Sequence, residues 1–333
     1  MTEAGDAEAR LNAFNAKLEA HGIVPYWLLT HGHRQPEPSV LKWSIIYPLL
    51  LEAGEVVRLG GDAFRRNLGG YQIVMPGEHA PAHRHTASAM RFIVVGDGSA
   101  YTTTNGEQMF MEPGDLLVQP SFGWHDHSNP GSEPVIWMDM LDNVLIQALD
   151  VEFRNNWPGG GQQPITHPEG FHSKLYGNIR PARLTGAQLA SPQDSPPMTY
   201  KFRDALAAME LMAAEEDVDP CDGILLEYAN PVTGGHTLPT MSARIQMLRP
   251  GEATQPHRHT GVVRYHVVRG QGVSTLDLDD PKELVWEDHD AFRIPSWRWH
   301  AHRNTSSSEP AILFSISDAP VAKAFGFYRE EQA

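Results

Sequence analysis

Pro76–Gly98 reads PGEHAPAHRHTASAMRFIVVGDG, and Pro250–Gly272 repeats it as PGEATQPHRHTGVVRYHVVRGQG. Each copy carries a His-X-His pair, His83/His85 and His257/His259. In a β-strand, residues i and i+2 project from the same face about 6.6 Å apart, so each pair can converge on one point while Arg84 points away. A third histidine follows in each copy after a turn marked by Pro and preceded by Trp: His125 in QPSFGWHDHSN and His300 in IPSWRWHAHRN. The first two histidines match at an offset of 174 residues and the third at 175, as do Asn129 and Asn304. An offset held this closely marks a duplicated unit. A lone His-X-His is usually an ordinary strand feature. Two copies with the third imidazole at the same spacing point to metal ligation by His83, His85 and His125, with His257, His259 and His300 as a possible second site. Three neutral imidazoles on one side of a divalent ion leave about three positions open for substrate and O₂.

Working outward, Tyr71 to Leu141 consists of short Val/Ile/Phe/Met runs punctuated by Gly and Pro, with TNGE and EPGD as turns; the pattern resumes from Ser242. Both stretches predict antiparallel strands in an all-β sandwich or barrel with minor helices. Residues 7–21, with Leu11, Phe14 and Leu18 at helical spacing, predict an N-terminal helix; Phe202–Asp217 predicts a helix bridging the two β units. The expected organisation is an N-terminal helical or extended segment (1–60), a first, catalytic β domain (61–150), a linker with a helix (151–230) and a second β domain (231–333).

Composition narrows the partners. The 333 residues with 41% hydrophobic content can supply packed cores, and a net charge of −15 without a basic cluster argues against nucleic acid. A single cysteine, Cys221, excludes an intramolecular disulfide and a Cys-rich zinc site. The acidic N-terminus lacks a secretion signal and the longest apolar stretch, around SIIYPLLLEAG, is too short to span a bilayer. A cytoplasmic protein with no membrane partner is expected.

The stretch from PGEHAPAHRH to Gly96 resembles the first cupin motif, and GDLLVQPSFGWHDHSN the second; both recur in the later copy. The chain thus resembles a bicupin of two double-stranded β-helix (jelly-roll) barrels. Where the ordinary motif places a Glu ligand, this sequence has Ala89 or Met90, and Val263 in the second copy. That absence, with HRHTASAMRFIV and WHDHSN, resembles the gentisate 1,2-dioxygenase family, which includes salicylate and 1-hydroxy-2-naphthoate dioxygenases.

The resemblance implies Fe(II), with Mn acceptable in isolated protein, and opening of an aromatic ortho-hydroxy carboxylate by O₂ between the carboxyl-bearing and hydroxyl-bearing carbons. It matches Arg91 to the substrate-carboxylate arginine; six residues after His85, Arg91 shares the ligand face if the strand is unbroken. His127 is matched to a group that hydrogen-bonds or shuttles the substrate proton, Gln72 and Gly70 to pocket positions, and Asp139 to an acid that could orient His127. Family members are commonly homotetramers. Leu68 stands where an aromatic residue is expected, and the segment after Arg65-Arg66 is short, which favours salicylate or a 5-substituted salicylate over gentisate or 1-hydroxy-2-naphthoate. Either arginine could reach the carboxylate or sit exposed. Tyr265 replaces Arg91 in the second copy, so that site is expected to be structural or vestigial. A manganese bicupin decarboxylase or oxidase is the more distant alternative. His79, His266 and His289 are read as ordinary.

Overall fold

The computed structural model describes residues 3–25, 38–57, 66–177, 195–214 and 218–333. In chain order the elements are α1 (Glu3–Ala20), β1 (Val40–Leu41), α2 (Trp43–Val56), β2 (Asn67–Leu68), β3 (Tyr71–Val74), β4 (His79–His85), β5 (Ala89–Val95), β6 (Tyr101–Thr104), β7 (Glu107–Phe110), β8 (Leu116–Gln119), β9 (His125–Ser128) and β10 (Val135–Leu141). The connecting stretch adds α3 (Asn143–Ala148), β11 (Arg154–Asn156), α4 (Phe171–Tyr176), β12 (Met198–Tyr200) and α5 (Phe202–Ala213). The later copy comprises β13 (Ile224–Glu227), β14 (Ser242–Leu248), β15 (His257–His259), β16 (Val263–Arg269), β17 (Gly272–Leu276), β18 (Lys282–Trp286), β19 (Ala291–Ile294), β20 (His300–Asn304), β21 (Ala311–Ser317), α6 (Ala319–Ala324) and β22 (Glu330–Gln332).

Two compact units result, and each is a pair of antiparallel sheets. The first has sheets ordered β12-β8-β5-β10-β3-β2 and β11-β4-β9-β6-β7; the second has β1-β19-β16-β21-β14-β13 and β18-β17-β20-β15-β22. Strand for strand the two orders correspond, which is the jelly-roll duplication that the repeated sequence predicts. The stretch expected as a linker is divided: β11 and α4 lie in the first unit, α5 and β13 in the second. Strand β1, from the N-terminal stretch, pairs with β19 in the second unit through Val40↔Phe292 and Leu41↔Ala291.

Local chemistry explains the turns. Asn105 and Gly106 both adopt positive φ (49° and 82°) between β6 and β7, the geometry of a two-residue hairpin loop that Asn-Gly adopts at least cost. At EPGD the Asp115 amide donates to the Glu112 carbonyl at 3.0 Å, with Gly114 at φ 89°. Alternate residues of the strands fill the interior of each unit: Ile93, Leu117 and Trp137 in the first, Val267, Trp286 and Leu313 in the second. The N-terminal helix buries Phe14 and Leu18. Its neighbour α2 is formed by the apolar run SIIYPLLLEAG, despite Pro48 within it. Among the described residues, no helix is long and apolar enough to cross a membrane.

Candidate metal centre

Strands β4 and β9 pair so that His83 lies opposite His125. With His85 two residues along β4, the three rings form a cluster whose centroids are 4.2, 4.8 and 5.6 Å apart. One nitrogen from each lies within 4.8 Å of the other two, close enough for one metal ion to be held. The main chain sets the rings. His83 Nδ1 meets the Pro81 carbonyl at 3.0 Å, His85 Nδ1 the Ala87 carbonyl at 2.8 Å, and His125 Nδ1 the Gly123 carbonyl at 3.0 Å. A carbonyl only accepts, so each Nδ1 carries the proton and each Nε2 keeps its lone pair, the form a metal requires. Burial is the main reason that His85 is pushed down to about 3 and His125 well below the usual imidazole range, with repulsion from neighbouring histidines and Arg91 adding to it. Three ring nitrogens facing one point fit a divalent ion.

Arg84 points outward, as the period of two requires, and lies over Trp124 at 4.7 Å. In the second unit Arg258 lies over Trp297 and Trp299, at 4.5 Å in each case. The tryptophan before each third histidine thus serves as a platform for the arginine between the first two.

Arg91 does not share a strand with His85. The chain breaks at Thr86–Ser88, and Arg91 lies on β5 in the facing sheet. The expected unbroken strand is absent, yet the guanidinium still acts on the histidines, because it contributes to the depression of His85, His125 and His127. It is buried, with Nη2 donating to Gln119 Oε1 at 2.7 Å and Nε 3.5 Å from Asp139 Oδ1. Burial lowers its affinity for a proton and Asp139 opposes that effect.

Asp139 is engaged elsewhere than at His127. It accepts from Gln72 Nε2 at 2.7 Å and from Trp137 Nε1 at 3.2 Å, besides facing Arg91. His127 Nδ1 instead meets Thr102 Oγ1 at 2.8 Å, and its ring lies 5.1 Å from that of Trp137. The pairing of β6 with β9 puts Thr102 directly opposite His127. Gly70 contributes its carbonyl to the Asp139 amide at 2.8 Å. Thr102 and Gln119 are the residues sequence reasoning missed. Gln119 is fully buried, and its Nε2 has no hydrogen-bond partner among the described residues. A polar residue ending an apolar strand, LLVQ, was the available signal.

Arg66 is neither exposed nor turned to the histidines. It is buried, with Nε donating to the Val57 carbonyl at 2.7 Å and both Nη atoms on the Glu78 carboxylate. Arg65 lies outside the described residues. Leu68 is buried opposite Tyr71. His79 meets Ser128 at 2.7 Å, and His266 lies 5.9 Å from His289, so these last two have each other as neighbours.

The second triad repeats the cluster, with centroids of 4.2, 5.3 and 5.8 Å. His302 meets Ser274 Oγ at 2.8 Å, as His127 meets Thr102. Tyr265 occupies the Arg91 position, stacked 4.8 Å from Phe292, and by register Ser315 lies opposite it where Asp139 lies opposite Arg91.

Comparison with known proteins agrees with this geometry. The Cupin domain family matches residues 70–141 and 244–317, the two strand systems that carry the triads. A 5-aminosalicylate 1,2-dioxygenase from Comamonas sp. is 33% identical over 347 residues, covering 96% of this chain and 90% of the relative. A gentisate 1,2-dioxygenase from Aquipseudomonas alcaligenes is also 33% identical, covering 96% and 95%. The crystal structure of a salicylate 1,2-dioxygenase from Pseudaminobacter salicylatoxidans superposes with a TM-score of 0.75 at 28% identity, covering 97% of both chains. With this identity along nearly its whole length and a matching pair of three-histidine cupins, the chain belongs to the cupin family of ring-cleaving 1,2-dioxygenases.

Proposed function

We propose that the first unit uses Fe(II) and O₂ to open the ring of salicylate or a 5-substituted salicylate between the carboxyl-bearing and hydroxyl-bearing carbons. The observation that carries this reading is a buried guanidinium, Arg91, braced by Asp139 and Gln119 beside three clustered imidazoles. The site combines a fixed cation for a carboxylate with a ligand set that adds no negative charge. Iron(II) held by His83, His85 and His125 would supply the activation of O₂ toward the electron-rich ring.

The protein's own residues do the rest. Gln119 takes one of the five donors of Arg91 and Asp139 faces another, so a substrate carboxylate can be held by those that remain through charge-assisted hydrogen bonds. The free Gln119 Nε2 offers one more donor. Thr102 Oγ1 also donates a hydrogen bond to Met111 Sδ at 3.7 Å. The hydroxyl then receives the Nδ1–H of His127, and His127 Nε2 becomes the acceptor for the phenolic proton of the substrate. Burial, followed by Arg91, keeps this imidazole neutral, so that Nε2 presents a lone pair.

Gentisate is the second reading, favoured by the relative from Aquipseudomonas alcaligenes. A salicylate-type substrate is favoured by the apolar, buried Leu68 in the short β2 that precedes Gln72. The test is oxygen uptake by anaerobically Fe(II)-loaded protein with salicylate, 5-chloro-, 5-nitro- and 5-aminosalicylate, gentisate and 1-hydroxy-2-naphthoate, with the product mass recorded. Addition of one O₂ to a salicylate in preference to gentisate is the expected result. Preference for gentisate would move the assignment to the second reading, and no uptake with any acid despite bound iron would overturn it.

A further inference from the structure

The two centres share a floor and differ in the charge of their walls. In the first unit β11 pairs with β4 so that Arg154 lies opposite His85; in the second, β22 pairs with β15 so that Glu330 lies opposite His259. The buried cation Arg91 becomes Tyr265, and its partner Asp139 becomes Ser315. Two positions that are cationic in the first unit are thus an acid and a neutral phenol in the second.

A further carboxylate enters the second site. Asp222 precedes β13 and lines the same pocket as His257, His259, Tyr265, Tyr328 and Glu330. Its Oδ1 lies 3.9 Å from His257 Nε2. Two donors about 2.1 Å from one ion stand roughly 3.0 Å apart at a right angle and about 4.2 Å apart when opposed, so this separation is an inter-ligand distance. The turn bearing Asp222 is fixed by Gln246, whose Nε2 donates to the Asp222 carbonyl at 2.7 Å. Gln246 is the repeat counterpart of Gln72, released from an aspartate partner by the change to Ser315. Arg244, a cation that also lines this pocket, is tied to Glu227 at 3.3 Å.

The histidines supply an independent observation. His300 and His257 are 1% and 2% exposed, and His300 Nε2, left over when Nδ1 meets the Arg298 carbonyl, has no hydrogen-bond partner among the described residues. Buried nitrogens left unsatisfied carry a cost that a bound cation removes. Tyr328 stacks over His259 at 6.4 Å and donates to Glu330 Oε2 at 2.8 Å, and both residues line the pocket.

We infer that the second unit holds its own divalent cation, bound by His257, His259, His300 and the carboxylate of Asp222, in a centre that Tyr328 and Glu330 close to organic acids. The ligand set is three imidazoles plus one oxygen anion, harder than the first set and suited to Mn(II). This inference does not depend on the ring-cleaving reaction, and its test uses no turnover.

The probe is Mn(II), titrated into metal-free full-length chain with free Mn(II) followed by electron paramagnetic resonance. Wild type is expected to bind two equivalents and H83A/H125A one. In the H83A/H125A background, D222N should weaken the remaining site by roughly 10-fold or more, while D222E, which keeps the carboxylate, should bind more tightly than D222N. Circular dichroism of each variant separates loss of a ligand from loss of fold. Salicylate added to the Mn(II)-loaded H83A/H125A chain should leave the Mn(II) spectrum unchanged. Absence of Mn(II) binding by folded H83A/H125A, or undiminished affinity in folded D222N, would overturn the inference; a spectrum altered by salicylate would overturn the closure.

Discussion

Arg91 and Asp139 are cross-strand neighbours on β5 and β10, both buried, with Nε 3.5 Å from Oδ1. Removing one partner of such a pair leaves an uncompensated charge. Arg91→Met should therefore destabilise the fold by about 3–5 kcal/mol, and Arg91→Met/Asp139→Asn should recover most of that loss. Urea denaturation of wild type and both variants tests it; equal stability of the single and double variants would refute the coupling.

Conversion of the same arginine to lysine keeps a charge and loses the planar fork. Arg91→Lys should raise KM for an ortho-hydroxy carboxylate by roughly tenfold or more, with metal content unchanged. Steady-state oxygen uptake and metal analysis on one preparation decide this. An unaltered KM would remove Arg91 from carboxylate binding.

Thr102 is assigned a positioning role through His127. Thr102→Val should lower kcat by about tenfold or more at unchanged metal content and nearly unchanged KM, and Thr102→Ser should restore it. If Val and Ser variants behave alike, the hydroxyl does not hold the ring.

A metal bound at the first triad would also stabilise the fold by mass action, about 2.7 kcal/mol when the free ion is at 100 times its Kd. Chelator should lower the Tm of the wild type, and readdition of Fe(II) under anaerobic conditions should restore it. His125→Ala should show a smaller response to both treatments, measured by differential scanning calorimetry.

Gly96 and Gly270 occupy matching places in the repeat but differ in conformation. Gly270 has φ +101°, and a Cβ there would lie 2.7 Å from Ala311 Cα; at Gly96 the nearest atoms would be 3.4 Å away and φ is not in the left-handed region. Gly270→Ala should cost roughly 1–3 kcal/mol, the range for such backbone strain, and more than Gly96→Ala. Chemical denaturation of the two variants gives the comparison.

The fold was legible because the repeated His-X-His and its third histidine are tied to a strand period and a turn, and these are local properties. The triads followed for the same reason. What escaped the sequence depends on which strands meet. Arg91 comes from the facing sheet because β4 ends at His85, and no periodicity announces that break. Thr102 is one of three successive threonines in β6, and only its register with β9 selects it as the partner of His127. Asp222 enters from a loop with no periodic pattern. Helix α2 was obscured by Pro48, whose cost is offset by the burial of Ile46, Leu49 and Leu50.

The exchange of edge strands bears on how this chain can be built. Strand β1, at positions 40–41, completes a sheet whose other members begin after residue 223, while β12, at 198–200, lies beside β8 of the earlier sheet. During synthesis the first barrel emerges with the β8 edge uncovered for about eighty residues, and the β1 segment waits for a partner until β19 is made. Unpaired edges are templates for pairing between chains. A fragment cut at the apparent boundaries of either cupin would carry that open edge permanently, and would aggregate where the whole chain folds.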